Sequence, residues 1–500
     1  MKLFQYVLSF FVTMVLSIGL AGAQNQSDSW TLTESGLVEK IYQDATILSK
    51  LTAQEELSSS LSLEERSLYQ PIWKNEVYYQ NSNEKALASF IPTFGPTHGF
   101  QTGLYKRFTR GVEVQANLFS DLSSTKDNVI DHATRTGINL QAKIDLWKNL
   151  FGRLDQAKLQ SKELALKKMA LENQIAIRSF ELEMRKVYWS LVAIEEKITI
   201  SKKLLESASL QYKDSVSRKN KFIADATETD RYKAQVASRQ ATLYALEYQR
   251  DLARQEIKKF IPTLSSLHIE MGEYDREKAV NTVLACVMTI KQFDQAPWDH
   301  TLLDEILALI EKDYEQQKII DESFDGIDVA LQSEVQMSGV DRGYQDSFSD
   351  FSSNPKAGFQ VGLMVDVPLG KSKNKVKSAK LRAQYESFLT NKKETQASVN
   401  AHQSQLLAMI DTLFASTKNY KENSATLSSN VQRIQKKYAQ ARVDVRDLVL
   451  EQDAFFQNAL NEVDSHLAVM EVLLDYFKIF TLDPCPINQV YTAYYTPSER

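Results

Sequence analysis

A chain of 500 residues with a net charge of −5, its basic residues interspersed with acidic ones, carries no electropositive stripe, which sets nucleic-acid binding aside. Only 16 glycines and 10 prolines punctuate it, and long polar stretches separate regularly spaced apolar residues. This composition predicts extended helices and one elongated molecule rather than several compact domains.

Residues 1–23 read as a secretory signal peptide: Lys2, an apolar run from Leu3 to Leu20, then Ala21-Gly22-Ala23 in the small-x-small form accepted for cleavage. The mature chain would start at Gln24. A membrane anchor helix is the competing reading, which Gln5 and the interspersed Ser and Thr disfavour. No Cys follows the cleavage site, so there is no lipid-attachment signal. No later stretch reaches the roughly 18 apolar residues of a spanning helix, so membrane entry would have to be by strands. Cys286 and Cys485 flank the second half of the chain in irregular segments; in an exported protein they could pair, the alternative being two free, buried thiols.

The first half, 24–262, begins with a helical pattern over 33–70 that stops at Pro71. Residues 72–80 alternate Trp73, Val77 and Tyr79 against Lys74, Glu76 and Tyr78, a candidate strand. A hairpin over 99–119 turns near Arg110-Gly111, and a further strand over 138–146 alternates Ile138, Leu140, Ala142 and Ile144 against Asn139, Gln141, Lys143 and Asp145. From Gly152 to about Arg218 the period is helical, on the order of 100 Å of helix. Its seam runs Phe180, Met184, Val187, Leu191, Ile194, Ile198 and on to Tyr212. After a turn over 219–225 a second helix returns to Pro262, which makes a long antiparallel hairpin.

Residues 263–299 are a link, and the sequence of events then repeats over 300–482: helix, strand (326–337), a Ser/Asp/Gly-rich loop, strand (357–367), Pro368, a long helix to Tyr438, a turn, and a return helix from Asp447. The seam Leu406, Ile410, Leu413, Thr417, Tyr420 and on to Tyr438 has the form of the first, which suggests internal duplication. Residues 483–500 form a polar, aromatic tail.

Each half thus offers two amphipathic strands of near-membrane length. A sheet half-buried on a soluble core is the commoner source of such alternation, but no separate core sequence exists for them to cover. Four strands cannot close a barrel, and an open edge in lipid leaves backbone groups unpaired at several kcal/mol each. On a membrane reading the strands must be pooled between copies.

These residues resemble the TolC-like outer membrane efflux proteins, the outer membrane factors of tripartite exporters, over nearly all of the mature chain. Leu150-Phe151-Gly152 with Ala157 downstream, and Pro368-Leu369-Gly370 with Ala379 downstream, are similar to the family's Pro-Leu-Phe-x-Gly passage from strand to helix. Asp230 with Ala234-Gln235, and Asp447 with Gln452, resemble the pattern that opens its return helices; Ala224 and Ala441 stand where the family has Gly. The span from Ala157 to Asp230 exceeds that from Ala379 to Asp447, so one tip is expected to carry about an extra turn. The resemblance implies an internally duplicated α+β membrane protein. It would be a homotrimer whose four strands per protomer form a twelve-stranded β-barrel, continuous with a long periplasmic α-helical coiled-coil barrel. It implies a location in the outer membrane of a Gram-negative cell, reaching into the periplasm. The function implied is a passive conduit of a tripartite efflux or type I secretion system. Its partners would be outer membrane lipid, a periplasmic adaptor and an inner-membrane pump, and it would hold no cofactor. It also implies an acidic pore constriction on the second return helix, with Asp447 at the first position, Leu450 at the second where an acid is usual, and Asp444 and Glu451 nearby. Tyr438, Arg442 and Arg446 would hold the tip shut, the two arginines pairing with these acids, and Asp230 and Gln235 would be the equivalents in the first repeat.

Independently of the resemblance, carboxylates converging on a narrow axis favour cations and divalent block; a first-turn helix acid is the plainer role for Asp447. The six histidines are scattered, and no phosphate loop or nucleophile motif is present, so catalysis is not expected. A structural or adhesive envelope protein without a channel is the alternative. The 99–119 hairpin is extra and is expected to extend the extracellular rim.

Overall fold

The computed structural model describes residues 29–81, 94–125, 132–222, 225–283, 302–324, 327–367 and 372–479. The signal peptide, Ala224, Cys286, the Pro368-Leu369-Gly370 passage, Cys485 and the 483–500 tail lie outside the described residues.

In chain order the elements are β1 (Ser29–Leu32), α1 (Glu34–Asp44), α2 (Thr46–Ser67), β2 (Ile72–Gln80), β3 (Phe94–Phe108), β4 (Val112–Thr125), β5 (His132–Asp145), α3 (Arg153–Asn220) and α4 (Ala226–Phe260). There follow β6 (His268–Met271), α5 (Leu302–Phe324), β7 (Asp328–Asp341), α6 (Tyr344–Ser353), β8 (Lys356–Asp366), α7 (Ser372–Ala439) and α8 (Val445–Ile479). The helical pattern over 33–70 is two helices, because Ala45 adopts an extended ψ of 133°. Thr33 caps the first by accepting from the Gly36 N–H at 3.1 Å.

One sheet holds six strands in the order β2-β3-β4-β5-β7-β8, each neighbour antiparallel. This corrects the expected four strands per chain. The extra hairpin does not decorate the rim: β3 and β4, of 15 and 14 residues, pair along their full length and stand between β2 and β5 within the sheet. Its turn lies at the helical end of the sheet, because Gly111 (φ 74°) and Gly152 (φ 80°) bring the turn against the start of α3. A Cβ on Gly111 would lie 2.3 Å from the Asn149 carbonyl oxygen, and one on Gly152 would lie 1.9 Å from that of Thr109. Only glycine permits both the backbone conformation and the approach.

The same junction buries a carboxylate. Asp155, in the first turn of α3, has no exposed side chain; it accepts from Arg107 of β3 at 2.7 Å and from the Asn149 amide at 2.7 Å. The Asn149 side-chain Oδ1 in turn accepts from the N–H groups of Leu154 and Asp155, so this side chain caps α3.

Because side chains alternate along a strand, each register row lies on one face. Trp73, Leu104, Ala116, Leu140, Val335 and Phe359 form one row across all six strands, and Lys74, Gly103, Asn117, Asn139, Gln336 and Gly358 form the row beside it on the other face. The first face is apolar and open: Trp73 is 66% exposed, Leu140 47% and Phe359 85%. Among the described residues α6 is the only helix that packs broadly on the sheet.

Over the described residues the two helical hairpins span the same lengths. α3 and α7 have 68 residues each, and α4 and α8 have 35 each. Aligning Arg153 with Ser372 and Ala226 with Val445 puts Phe222 on Ala441, and these are left-handed residues at the two turns (φ 58° and 54°). The turns themselves, 221–225 and 440–444, are equal in length, so neither turn carries extra residues. α8 packs against both α7 and α3, and α3 carries α2 and α5 along its upper part. No described helix is long and apolar enough to cross a membrane.

The largest apolar core sits at the middle of these helices. The parallel pair β1–β6, α1 and the ends of α4 and α8 close on Tyr188, Trp189, Leu191 and Val192 of α3. Leu32, Leu37, Ile41, Leu191, Ile257, Ile261 and Leu264 are fully buried there, each contributing roughly 1.5–3 kcal/mol. Part of the segment read as a link thus belongs to this core.

Candidate functional site

The helical tips gather the charged residues that the sequence singled out. Each turn is followed by an acid that opens the return helix. Asp225 precedes α4 and accepts from the Thr227 hydroxyl at 3.1 Å; Asp444 precedes α8 and accepts from the Arg446 N–H at 3.3 Å. Beyond the second cap, Val445, Leu448 and Gln452 face inward and are buried, which leaves Asp447 and Leu450 on the exposed side and Glu451 half-buried.

Tyr438, at the end of α7, is the centre of a link between the two hairpins. Its hydroxyl donates to Glu228 of α4. Arg218, in the last turn of α3, donates to the Tyr438 oxygen at 2.6 Å and to Glu228 at 3.3 Å, and its guanidinium lies 5.2 Å from the centre of the Tyr438 ring. Burial, and then the Glu228 carboxylate, raise the Tyr438 phenol above its ordinary pKa, so it stays protonated and remains a donor. Tyr232, almost wholly buried, packs in the same place, and burial pushes its phenol up as well. Two further ion pairs join the hairpins: Arg231 with Asp444 at 3.9 Å, and Arg239 with Asp453.

The expected residues are thus brought together only in part. Tyr438 is engaged. Asp444 serves as a helix cap and faces Arg231, while Asp447 has an exposed side chain in the first turn of α8. Arg442 and Arg446 do not pair with these acids: among the described residues neither makes an ion pair, and the cation on Tyr438 is Arg218 of the other hairpin. In the first repeat the helix ends place Glu228, not Asp230, opposite Asp447. Asp230 is exposed, and Gln235 is buried with its carbonyl oxygen unpaired. Sequence reasoning missed Arg218, Glu228 and Arg231, whose signal is the alignment of equal helix ends. No group of three or more His, Cys, Asp or Glu among the described residues is placed to hold a metal.

The tip is a charge-assisted cluster bridging two hairpins that also pack and pair along their length, through Lys186–Asp475, Lys197–Asp464 and Arg239–Asp453. No family model and no curated protein matches the chain in sequence. Solved structures do match its fold. The outer membrane protein VceC of Vibrio cholerae has a TM-score of 0.63 at 11% identity, over 88% of this chain and 94% of that one. The Campylobacter jejuni CmeC outer membrane channel has 0.62 at 10%, over 95% and 94%, and the open state of the Neisseria gonorrhoeae MtrE outer membrane channel has 0.60 at 11%, over 91% and 93%. The chain has the fold of these outer membrane channels.

Proposed function

We propose that the protein is the outer membrane channel of a tripartite efflux or type I secretion system, a passive conduit that three copies build together. The observation that carries this is the six-stranded sheet with one open apolar face, one polar face and two unpaired edges. In water such a face and such edges are aggregation sites. In a bilayer the face meets lipid, and the edges pair with those of neighbouring copies. Three copies of this sheet supply eighteen strands rather than twelve, a wall about one and a half times as wide, since barrel diameter grows with strand number. The long hairpins continue the wall as a periplasmic tunnel that meets an adaptor and an inner-membrane pump. The Tyr438–Glu228–Arg218 cluster keeps its tip closed, and Asp447 lines the constriction.

Planar-bilayer recording tests this. The purified protein is expected to conduct. Asp447→Ala should lower cation selectivity and weaken divalent block, and Tyr438→Phe, which removes the latch hydroxyl, should raise the open fraction several-fold, about 1 kcal/mol of lost hydrogen bonding. A monomer that is soluble without surfactant and carries no current would end this reading and leave the envelope-protein alternative.

A further inference from the structure

α6 is ten residues long and lies where no spanning wall needs a helix. It joins β7 to β8 at the end of the sheet remote from the long hairpins, since β7 begins just after α5 and β8 ends just before α7. It lies on the apolar face. Gly339 is two residues beyond Met337 on β7, and a Cβ there would meet the Phe351 nitrogen at 2.2 Å and the Ser347 carbonyl oxygen at 2.5 Å.

Beneath α6 the apolar face turns polar. Gly339 pairs with Thr136, and Thr136 with Ser120. The Ser347 hydroxyl, fully buried, bonds that of Thr136 at 2.8 Å, which bonds that of Ser120 at 2.7 Å. The Thr134 hydroxyl donates to the Arg342 carbonyl at 3.2 Å, and Asp350 accepts from the Val340 N–H at 3.0 Å. These hydroxyls, which would otherwise end the outer face, are thereby covered.

On a 3.6-residue period, Tyr344, Phe348 and Phe351 form a stripe about a quarter-turn from the sheet-facing Ser347 and Asp350. Tyr344 is 49% exposed and Phe348 54%, and the rings of Phe348 and Phe351 stand 6.3 Å apart. Height decides what meets them. From Val329 to Gly339 the strand rises roughly 34 Å, or about 25 Å along the membrane normal at ordinary barrel tilt, the height of an apolar band.

We propose that α6 is a membrane-interface helix, its aromatic stripe seated at the boundary between headgroups and acyl chains of the outer leaflet, where it fixes the depth of the wall in the bilayer. This rests on the channel reading. The helix carries Asp346 and Asp350 and no Lys or Arg, so ring burial rather than attraction to anionic headgroups supplies the binding.

The test is tryptophan quenching in vesicles of phosphatidylcholine brominated either near the headgroup or near the chain ends. The parent's emission is subtracted. Phe348→Trp should be quenched about twofold more by the shallow bromines, at low and high salt alike, and Val335→Trp, in the middle of the band, more by the deep ones. Tyr344→Trp serves if Phe348→Trp does not fold. Adding Gly339→Val, which displaces α6, should abolish the shallow quenching. If the Phe348→Trp emission is untouched by either lipid, whether the indole lies in water or against a second copy, or is quenched mainly by deep bromines, the proposal is overturned while Val335→Trp still reports lipid. If Val335→Trp is unquenched too, the channel reading itself fails.

Discussion

At Tyr438 a phenol, a guanidinium and a carboxylate from three helices meet, and none of the three has an equally good partner on its own helix. A second residue of this kind is His466 of α8, which is buried with Nδ1 unpaired. Burial first, and then the nearby Arg276 and Lys421, hold its pKa at about 4, below the ordinary 6.5. The imidazole folds neutral. The unfolded chain binds a proton below pH 6.5 and the folded one does so only near 4, so this stability is present above the upper value and lost as pH falls through the window. The loss is on the order of 2 kcal/mol after screening. Thermal unfolding in detergent should show Tm falling from pH 6.5 to 4, and a His466→Gln variant should show less of that fall.

Two junctions decide the elements. The equal turns and the paired left-handed residues Phe222 and Ala441 make the two tips structural equivalents, even though Asp230 and Asp447 are displaced by two positions. At the root of the first hairpin, the inserted β3–β4 turn is held by a buried ion pair, Arg107–Asp155, in which the acid is wholly enclosed and also bonded to Asn149. Removing one partner of such a pair strands the other. Asp155→Ala should therefore cost about 3–5 kcal/mol in urea unfolding, whereas Glu113→Ala, whose carboxylate lies 3.8 Å from the same guanidinium and is partly exposed, should cost at most about 1 kcal/mol.

For the whole molecule the two sheet edges matter most. β2 and β8 carry some of the most exposed apolar residues of the wall, Val77 at 86% and Phe359 at 85%. They run in opposite directions, so β8 of one copy can pair antiparallel with β2 of the next. Keeping apolar faces together and helical ends level puts Trp73 opposite Val365, Val77 opposite Val361 and Tyr79 opposite Phe359. Gly358 and Gly362, with open space where a Cβ would be, then face Gln80 and Glu76 of the neighbour. Oxidising a Val77→Cys, Val361→Cys double variant should give covalent trimers on a non-reducing gel, and pairing Val77→Cys with Val365→Cys should not. Crosslinking of the second pair alone would refute this register.

Period and punctuation in the chain already determined where the long helices and the main strands fall, that the long helices come in two hairpins, and that the strands are amphipathic, because these depend on local spacing of apolar residues and on Pro71, Gly111 and Gly152. The short helix α6, read as a loop, and the short strands β1 and β6 were not legible, since each is held by tertiary pairing rather than by its own period. The same local signal read the hairpin around Arg110-Gly111 correctly but not its place. Whether β3 and β4 stand in the wall or above it depends on which strands they pair with, and pairing partners leave no periodic trace. The tip shows the same division. Tyr438 and Asp447 were legible from a motif, but Arg218 and Glu228 became neighbours of Tyr438 only because the two hairpin tips bring distant residues to the same height, and the partner of a charge is set by that three-dimensional alignment rather than by its spacing along the chain.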